Sequence, residues 1–241
     1  MQCVILAAGR GTRMGVLTKS TPKPLLKIGD KTILEHNLSE LPDEVEEVIV
    51  VIGYKGEMIK ELIGDSFVIH TSSVPPHKGE RRELKITYIK QKELKGTADA
   101  VFQCRDLLND RFLVLSGDDI YYKGDLEMLI KQPLAILVWP LPGGADNSIL
   151  QGGVVKVNEA RELADIVERG SAGGGALINT SAYVLNKDLF QYPLVSAGSP
   201  ANEYGLPQTF LQMVKDGRNF SVVKATHWKK ISVPQDLELD N

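Results

Sequence analysis

The chain has 241 residues, 43% of them hydrophobic and 24% charged, with a formal net charge of −3. That is an ordinary globular composition, long enough to bury roughly 70–75% of the surface its unfolded form exposes. The slightly acidic balance argues against a nucleic-acid binder, and no apolar run of about eighteen residues is present to span a membrane.

Taken in chain order, residues 3–8 form an apolar run that reads as a buried strand, broken by Gly9-Arg10-Gly11-Thr12-Arg13. Glycines at a strand exit let the backbone turn tightly and bring bare N–H groups to an anion. Arg10, Arg13, Lys19 and Lys23 then crowd one short loop, a density of charge that a packed core has no use for and a polyphosphate does. Two common phosphate motifs fail on spacing: Met14 stands where a dinucleotide fingerprint needs its third glycine, and no Gly-Lys dipeptide supplies a P-loop.

Helical spacing over 32–41 is followed by a β-branched strand over 45–52 and an amphipathic helix over 55–63 that stops at Gly64. Residues 69–83, with Pro75-Pro76, Gly79 and a charge run, read as a long solvated loop, a lid or subunit contact being the alternative. A strand over 84–89, a helix over 98–108 and a short strand over 112–115 restore the rhythm. Strands alternating with helices imply a mainly parallel sheet covered on both faces, with ligands at the strands' carboxyl ends. Gly9, Gln91 and Asp118 each follow a predicted strand and so converge on one crevice. Gln91 offers an amide that donates and accepts together, which suits a pyrimidine edge, and Thr97 reads as the cap of the next helix. At Asp118-Asp119 an extended backbone sends adjacent side chains opposite ways, so one carboxylate faces the site and Asp119 has the simpler reading of a turn cap.

In the second half, 135–141 and 152–157 are strand-like, Gly170 to Gly175 make a glycine-rich turn, and 203–215 reads as a packing helix despite Pro207. Cys3 and Cys104 sit in apolar contexts as reduced core residues of a cytoplasmic protein. The four histidines show no metal-ligand spacing.

The run from Leu6 to Leu26 resembles the signature of the sugar-1-phosphate nucleotidyltransferases, Leu-Ala-Ala-Gly-x-Gly-Thr-Arg-Met/Leu followed by Lys-Pro-Leu/Met. The resemblance covers the whole chain and implies an α/β fold. The expected form is a three-layer, doubly wound, mixed but mainly parallel sheet, Rossmann-like and of the glycosyltransferase-A type. It implies that Ala7, Ala8, Gly9, Gly11, Thr12, Arg13 and Lys23 hold a nucleoside triphosphate, and that Gln91, Gly96 and Thr97 hold its base. Asp118 takes the place of an aspartate that binds Mg²⁺, and Gly153, Glu168, Arg169 and Asn179 the places that hold the sugar 1-phosphate. Arg169 departs from the usual lysine, Gly170 from a proline, and Ser181 from a glycine in Asn-x-Gly-x-Tyr. Residues 69–83 look like an insertion.

The segment Trp228-Lys229-Lys230-Ile231-Ser232-Val233-Pro234-Gln235-Asp236-Leu237 resembles Trp-x-Asp-Ile-Gly-Thr-Pro-x-Asp-Leu, so Lys230 replaces the second metal aspartate. The resemblance thus points to Arg13, Lys23, Asp118 and Lys230 as the catalytic group. The expected reaction couples UTP, dTTP or CTP to a sugar 1-phosphate, releasing pyrophosphate. The alternatives are a cytidylyltransferase for a non-sugar phosphate such as phosphocholine or an alditol phosphate, and a degenerate protein that binds nucleotide sugars. A glycosyltransferase is disfavoured by the cationic loop. Residues 1–241 are read as one unit, 1–125 for the nucleotide and 126–241 for the sugar phosphate. The left-handed β-helix found in many relatives is not encoded, and a homo-oligomer is left open.

Overall fold

The computed structural model describes residues 1–70, 81–143, 153–168, 174–198 and 202–238. Arg169, Gly170 and the body of the 69–83 segment lie outside the described residues. The first half runs β1 (Gln2–Ala7), α1 (Leu17–Ser20), β2 (Lys27–Ile28), β3 (Lys31–Thr32), α2 (Ile33–Ser39), β4 (Glu47–Ile52), α3 (Gly56–Ile63), β5 (Ser66–His70), β6 (Arg81–Lys90), α4 (Thr97–Phe102), β7 (Arg111–Ser116), β8 (Ile120–Tyr121) and α5 (Lys123–Ile130). Then follow β9 (Ala135–Pro140), β10 (Val154–Val157), β11 (Leu163–Val167), β12 (Leu177–Asn186), α6 (Leu206–Lys215), β13 (Ser221–Lys224) and β14 (Trp228–Lys229).

Ten of these strands form one mixed sheet, in the order β11-β10-β12-β7-β1-β4-β6-β5, with β9 beside β12 and β13 beside β9. Strand β1 lies at its centre, parallel to β4 (Gln2 opposite Glu47) and to β7 (Gln2 opposite Phe112). Its residues are buried on both faces because each face carries helices. Cys3, Ile5 and Ala7 join the core under α2, α3 and α5, while Val4 joins the core under α4 and α6. That is the three-layer α/β arrangement the alternation of elements predicts, with each large apolar side chain buried contributing about 1.5–3 kcal/mol. The sheet crosses the division at residue 125, since β7 pairs antiparallel with β12. Among the described residues no helix is long and apolar enough to cross a membrane. Cys3 and Cys104 are free and buried, and burial pushes the Cys104 thiol up to about 12.

Several local expectations are refined. Helix α2 begins with a capping box: Thr32 Oγ1 accepts from the Glu35 N–H, and Glu35 Oε2 accepts from the Thr32 N–H. Helix α4 stops at Phe102, because Cys104, Arg105 and Leu107 take up i→i−3 bonds to Val101, Phe102 and Cys104 instead of continuing the helical ladder. Helix α6 starts at Leu206, not 203, which puts Pro207 in the first turn where its missing N–H costs nothing.

The ends of the 69–83 segment are strand rather than loop. Ser66–His70 and Arg81–Lys90 pair antiparallel at the sheet edge, Ile69 opposite Arg82. The charge run obscures this because an edge strand tolerates polar residues. Arg82 is stapled to the 41–45 turn, donating to the Leu41 and Val45 carbonyls and to Asp43 Oδ1 at 2.8 Å.

The C-terminal segment returns to the sheet's carboxyl end through Asp125. This carboxylate is fully buried and accepts from Thr226 N and Oγ1, both at 2.9 Å, and from His227 N at 3.0 Å. Strand β14 then pairs with β8, Trp228 opposite Tyr121. Replacing Asp125 with Ala removes three hydrogen bonds to a buried charged acceptor, and should cost about 2–4 kcal/mol of unfolding free energy in urea denaturation. A loss below about 0.5 kcal/mol would show that the return segment is held by other contacts.

Candidate active site

The loop after β1 is shaped around a buried lysine. Gly11 adopts a left-handed backbone (φ 61°), and a Cβ there would meet Lys23 Cβ at 2.9 Å and Thr18 Cγ2 at 3.0 Å. Only a glycine passes both tests. A Cβ on Gly9, by contrast, would meet nothing within 4 Å, so the backbone there is open to a ligand. Thr18 Oγ1 ties the loop shut by donating to the Gly11 carbonyl. Lys23 is 5% exposed; its ammonium donates to Asp118 Oδ2 at 2.7 Å and to the Ile231 carbonyl.

Two adjoining cavities open from this point. The larger, about 740 Å³, is lined by Ala7, Ala8, Gly9, Gly11, Thr12, Lys23, Gln91, Gly96 and Thr97. The smaller, about 460 Å³, is lined by Gly153, Glu168, Asn179, Arg13, Asp119 and Lys230. Asp118, Ser116 and Glu203 line both. The residues expected around a triphosphate and those expected around an acceptor therefore fall into separate, touching spaces. Three residues are exceptions: Arg13 belongs to the smaller one, and Gly96 and Thr97 line both.

Three residues of the larger cavity carry structural duties that the sequence reading did not anticipate. Gln91 donates from Nε2 to the Gly96 carbonyl at 3.0 Å and to Asp99 Oδ2 at 2.8 Å. Both partners are acceptors, which orients the amide and leaves its carbonyl oxygen, not both groups, for a ligand. A Cβ on Gly96 would lie 2.4 Å from the Tyr204 carbonyl, so this glycine is required by a neighbouring chain segment whatever else approaches it. Thr97 does not cap α4, whose N-cap is Gly96 without a side-chain bond. Its hydroxyl accepts instead from the Leu206 N–H at 2.9 Å, joining α4 to the start of α6.

The paired aspartates also differ from expectation. After Ser116 the backbone leaves the extended conformation, so Asp118 and Asp119 do not point apart: both line the smaller cavity. Gly117 allows this turn, for a Cβ there would sit 2.8 Å from the Leu6 carbonyl. Burial raises the Asp118 pKa, but the Lys23 charge and hydrogen bond, the Ser116 hydroxyl and Arg13 together hold it below the usual carboxylate value. For Asp119, burial and then the Asp118 charge push it up to about 7, against Lys23, the Ile231 N–H and Lys230. Asp119 caps no local turn; Oδ1 accepts from Ile231 N at 3.1 Å, and its carbonyl accepts from Asn37 Nδ2 at 2.9 Å. Burial lowers the pKa of Lys230, the Asp119 and Asp118 carboxylates raising it and Arg13 and Lys23 adding to the fall.

In the smaller cavity a Cβ on Gly153 would meet Ile166 Cγ2 at 2.7 Å and Glu168 Oε1 at 3.1 Å, so Glu168 rests against the glycine backbone. Asn179 is held by its own strand: Nδ2 bonds Tyr183 Oη at 2.8 Å, and Oδ1 accepts from the Ser181 N–H at 2.9 Å. Ser181 occupies a left-handed conformation (φ 61°) at the irregularity between Asn179 and Tyr183, which accounts for a glycine preference there. Glu203, Tyr204, Gln208 and Trp228 also line this cavity and escaped the sequence reading. For Glu203, Tyr204 and Gln208 the available signal was their polarity beside the start of α6.

The donor set does not fit a metal held by the protein alone. Among the described residues, no group of three or more His, Cys, Asp or Glu side chains is placed to hold an ion. Asp118 already has Lys23 on Oδ2 and the Ser116 hydroxyl on Oδ1. A lysine stands where a second carboxylate was to be expected.

Comparison with known proteins agrees with this architecture. The chain is 28% identical over 237 residues to the bifunctional protein GlmU of Methanocaldococcus jannaschii, covering 98% of this chain and 52% of that protein. It thus spans about half the length of these bifunctional relatives. It is 27% identical to the UTP–glucose-1-phosphate uridylyltransferase AglF of Haloferax volcanii, covering 99% and 94% of the two chains. It is 29% identical to the D-glycero-alpha-D-manno-heptose 1-phosphate guanylyltransferase of Campylobacter jejuni, covering 98% and 96%. Among solved structures, a putative glucose-1-phosphate thymidylyltransferase from Bacillus anthracis shares the fold with a TM-score of 0.76 at 21% identity, over 98% of this chain and 92% of that one. The nucleotidyl transferase family model matches residues 2–238, and the chain belongs to that family.

Proposed function

We propose that the protein joins a pyrimidine nucleoside triphosphate (UTP, dTTP or CTP) to a sugar 1-phosphate, giving a nucleotide sugar and pyrophosphate. The observation that carries this reading is the meeting of two cavities at Asp118, with a glycine-rich cationic loop on one side and hydroxyl-binding groups on the other. A phosphate oxygen of the acceptor attacks the α-phosphorus of the triphosphate. The bond from that phosphorus to the bridging oxygen breaks, and pyrophosphate leaves with the bond's electron pair. Chemistry of this kind needs in-line positioning and neutralised phosphate charge more than covalent help. Lys23 supplies a pre-aimed ammonium on the nucleotide side, and Arg13 a guanidinium on the acceptor side. The Gln91 carbonyl accepts from uracil or thymine N3–H or from the cytosine amino group. Glu168 and Asn179 bond hydroxyls of the acceptor.

Residues 1–241 act as one catalytic unit in this reading, with Arg13 reaching from the nucleotide-binding half into the acceptor cavity. The test is pyrophosphate release from a panel of nucleoside triphosphates against glucose 1-phosphate, glucosamine 1-phosphate, heptose 1-phosphate, phosphocholine and alditol phosphates, with and without Mg²⁺. Turnover is expected with a pyrimidine triphosphate and a sugar 1-phosphate. Turnover only with phosphocholine or an alditol phosphate transfers the assignment to that acceptor class, and none with any pair overturns it.

Two variants probe the division of labour. Lys23→Met should lower kcat by about 10²–10³ without abolishing the folded far-UV spectrum, since it removes a fixed charge from the phosphates. Glu168→Ala should raise the acceptor KM about tenfold, equal to about 1.4 kcal/mol, and leave the nucleotide KM within about twofold. Equal changes in both constants would place Glu168 outside the acceptor site.

A further inference from the structure

The point where the cavities meet gathers three cations. Asp118 and Asp119 are its carboxylates; Arg13, Lys23 and Lys230 are the cations acting on them. Glu203 lines both cavities as well, so without Lys230 the carboxylates there would outnumber the cations. Lys23 bonds Asp118 Oδ2 at 2.7 Å, and Ser116 takes Oδ1, so the more exposed of the two carboxylates is already engaged on both oxygens. Asp119 is turned to the backbone N–H of Ile231. Ser232, next along the same wall, has a buried hydroxyl with no partner among the described residues. The wall at Lys230 therefore presents an ammonium to the cavity, which suits an anion and repels a free divalent cation. Mg²⁺ prefers one or two unobstructed carboxylates and gives up its water reluctantly, whereas an ammonium on a flexible stem brings positive charge without that cost.

We propose that this junction binds phosphate anions without a protein-held divalent metal, Lys230 supplying in place the positive charge that a metal would otherwise bring. The proposal rests on the nucleotidyl-transfer reading for its ligand class, and reversing the sign at position 230 is its natural probe. Lys230→Asp lowers the local charge by two units and adds a carboxylate.

The experiment is calorimetric titration of the full chain with inorganic pyrophosphate, in EDTA and in excess Mg²⁺, for the wild type, Lys230→Met and Lys230→Asp. The wild type should bind in EDTA with a Kd within about threefold of its value in Mg²⁺. Lys230→Met should weaken binding in EDTA about tenfold, a change that Mg²⁺ does not reverse. Lys230→Asp should weaken it more than tenfold and recover most of the loss in Mg²⁺. Melting curves for both variants establish that each is folded, and the neutral methionine serves if the aspartate variant is not.

Wild-type binding that disappears in EDTA overturns the proposal, as does a methionine variant that binds in EDTA like the wild type. Pyrophosphate binding in EDTA with no turnover of any substrate pair would remove the enzyme reading and leave this one standing. Turnover confined to Mg²⁺, without binding in EDTA, would do the reverse.

Discussion

Lys23 is the residue on which the site depends. A buried ammonium must find opposite charge and acceptors, and this one finds them 95 residues away in Asp118 and 208 residues away in the Ile231 carbonyl. Breaking such a pair from one side leaves an uncompensated charge in a low-dielectric setting, which typically costs 3–5 kcal/mol. The constraint propagates outward. Gly11 must be glycine because Lys23 runs against it, and Thr18 must close the loop that the glycine opens. The exit of β7 and the C-terminal return are thereby brought to the same ammonium.

The electrostatics of the two aspartates follow from that arrangement. Neighbours in sequence, Asp119 buried and Asp118 partly exposed, they do not share the available positive charge equally. Asp118 bonds Lys23 directly and is held low, while Asp119, under burial and the Asp118 charge, is pushed up to about 7 against Lys23, the Ile231 N–H and Lys230. Two carboxyl groups of identical chemistry thus differ at neutral pH through their surroundings alone. The cations that bear on these carboxylates, Arg13, Lys23 and Lys230, are side chains whose positions the fold must hold. Asp125 does part of that holding by fixing residues 226–227 just ahead of β14 and Lys230.

Several residues combine a binding surface with a structural contact. Gly96 lines both cavities and is also required by the Tyr204 backbone; Thr97 lines both and joins α4 to α6. Gln91 lines the larger cavity and bonds Asp99. The α4–α6 junction is thus continuous with the wall of the larger cavity, so displacement of α6 would be felt at Gln91. Ser181 shows the same economy in the smaller cavity, where a left-handed kink turns a strand's own asparagine toward the space.

What the sequence determined by itself was local or periodic. The β-branched runs, the stop at Gly64 and the glycine–arginine loop after β1 each follow from neighbours a few residues apart, and each stands as read. The family could also be read there, because its signature is a contiguous string. Tertiary structure decided the rest: that 66–70 and 81–90 pair as an edge, that α4 stops at Phe102 and that Asp119 faces Ile231. It also decided that Arg13 lines the smaller cavity while Gly11 and Thr12 line the larger. These are outcomes of contacts between segments up to about two hundred residues apart, and no propensity or spacing encodes them. Lys230 lies between the two. Its identity was legible as a departure from the expected aspartate, but its meaning depends on the two carboxylates and two cations the fold gathers around it.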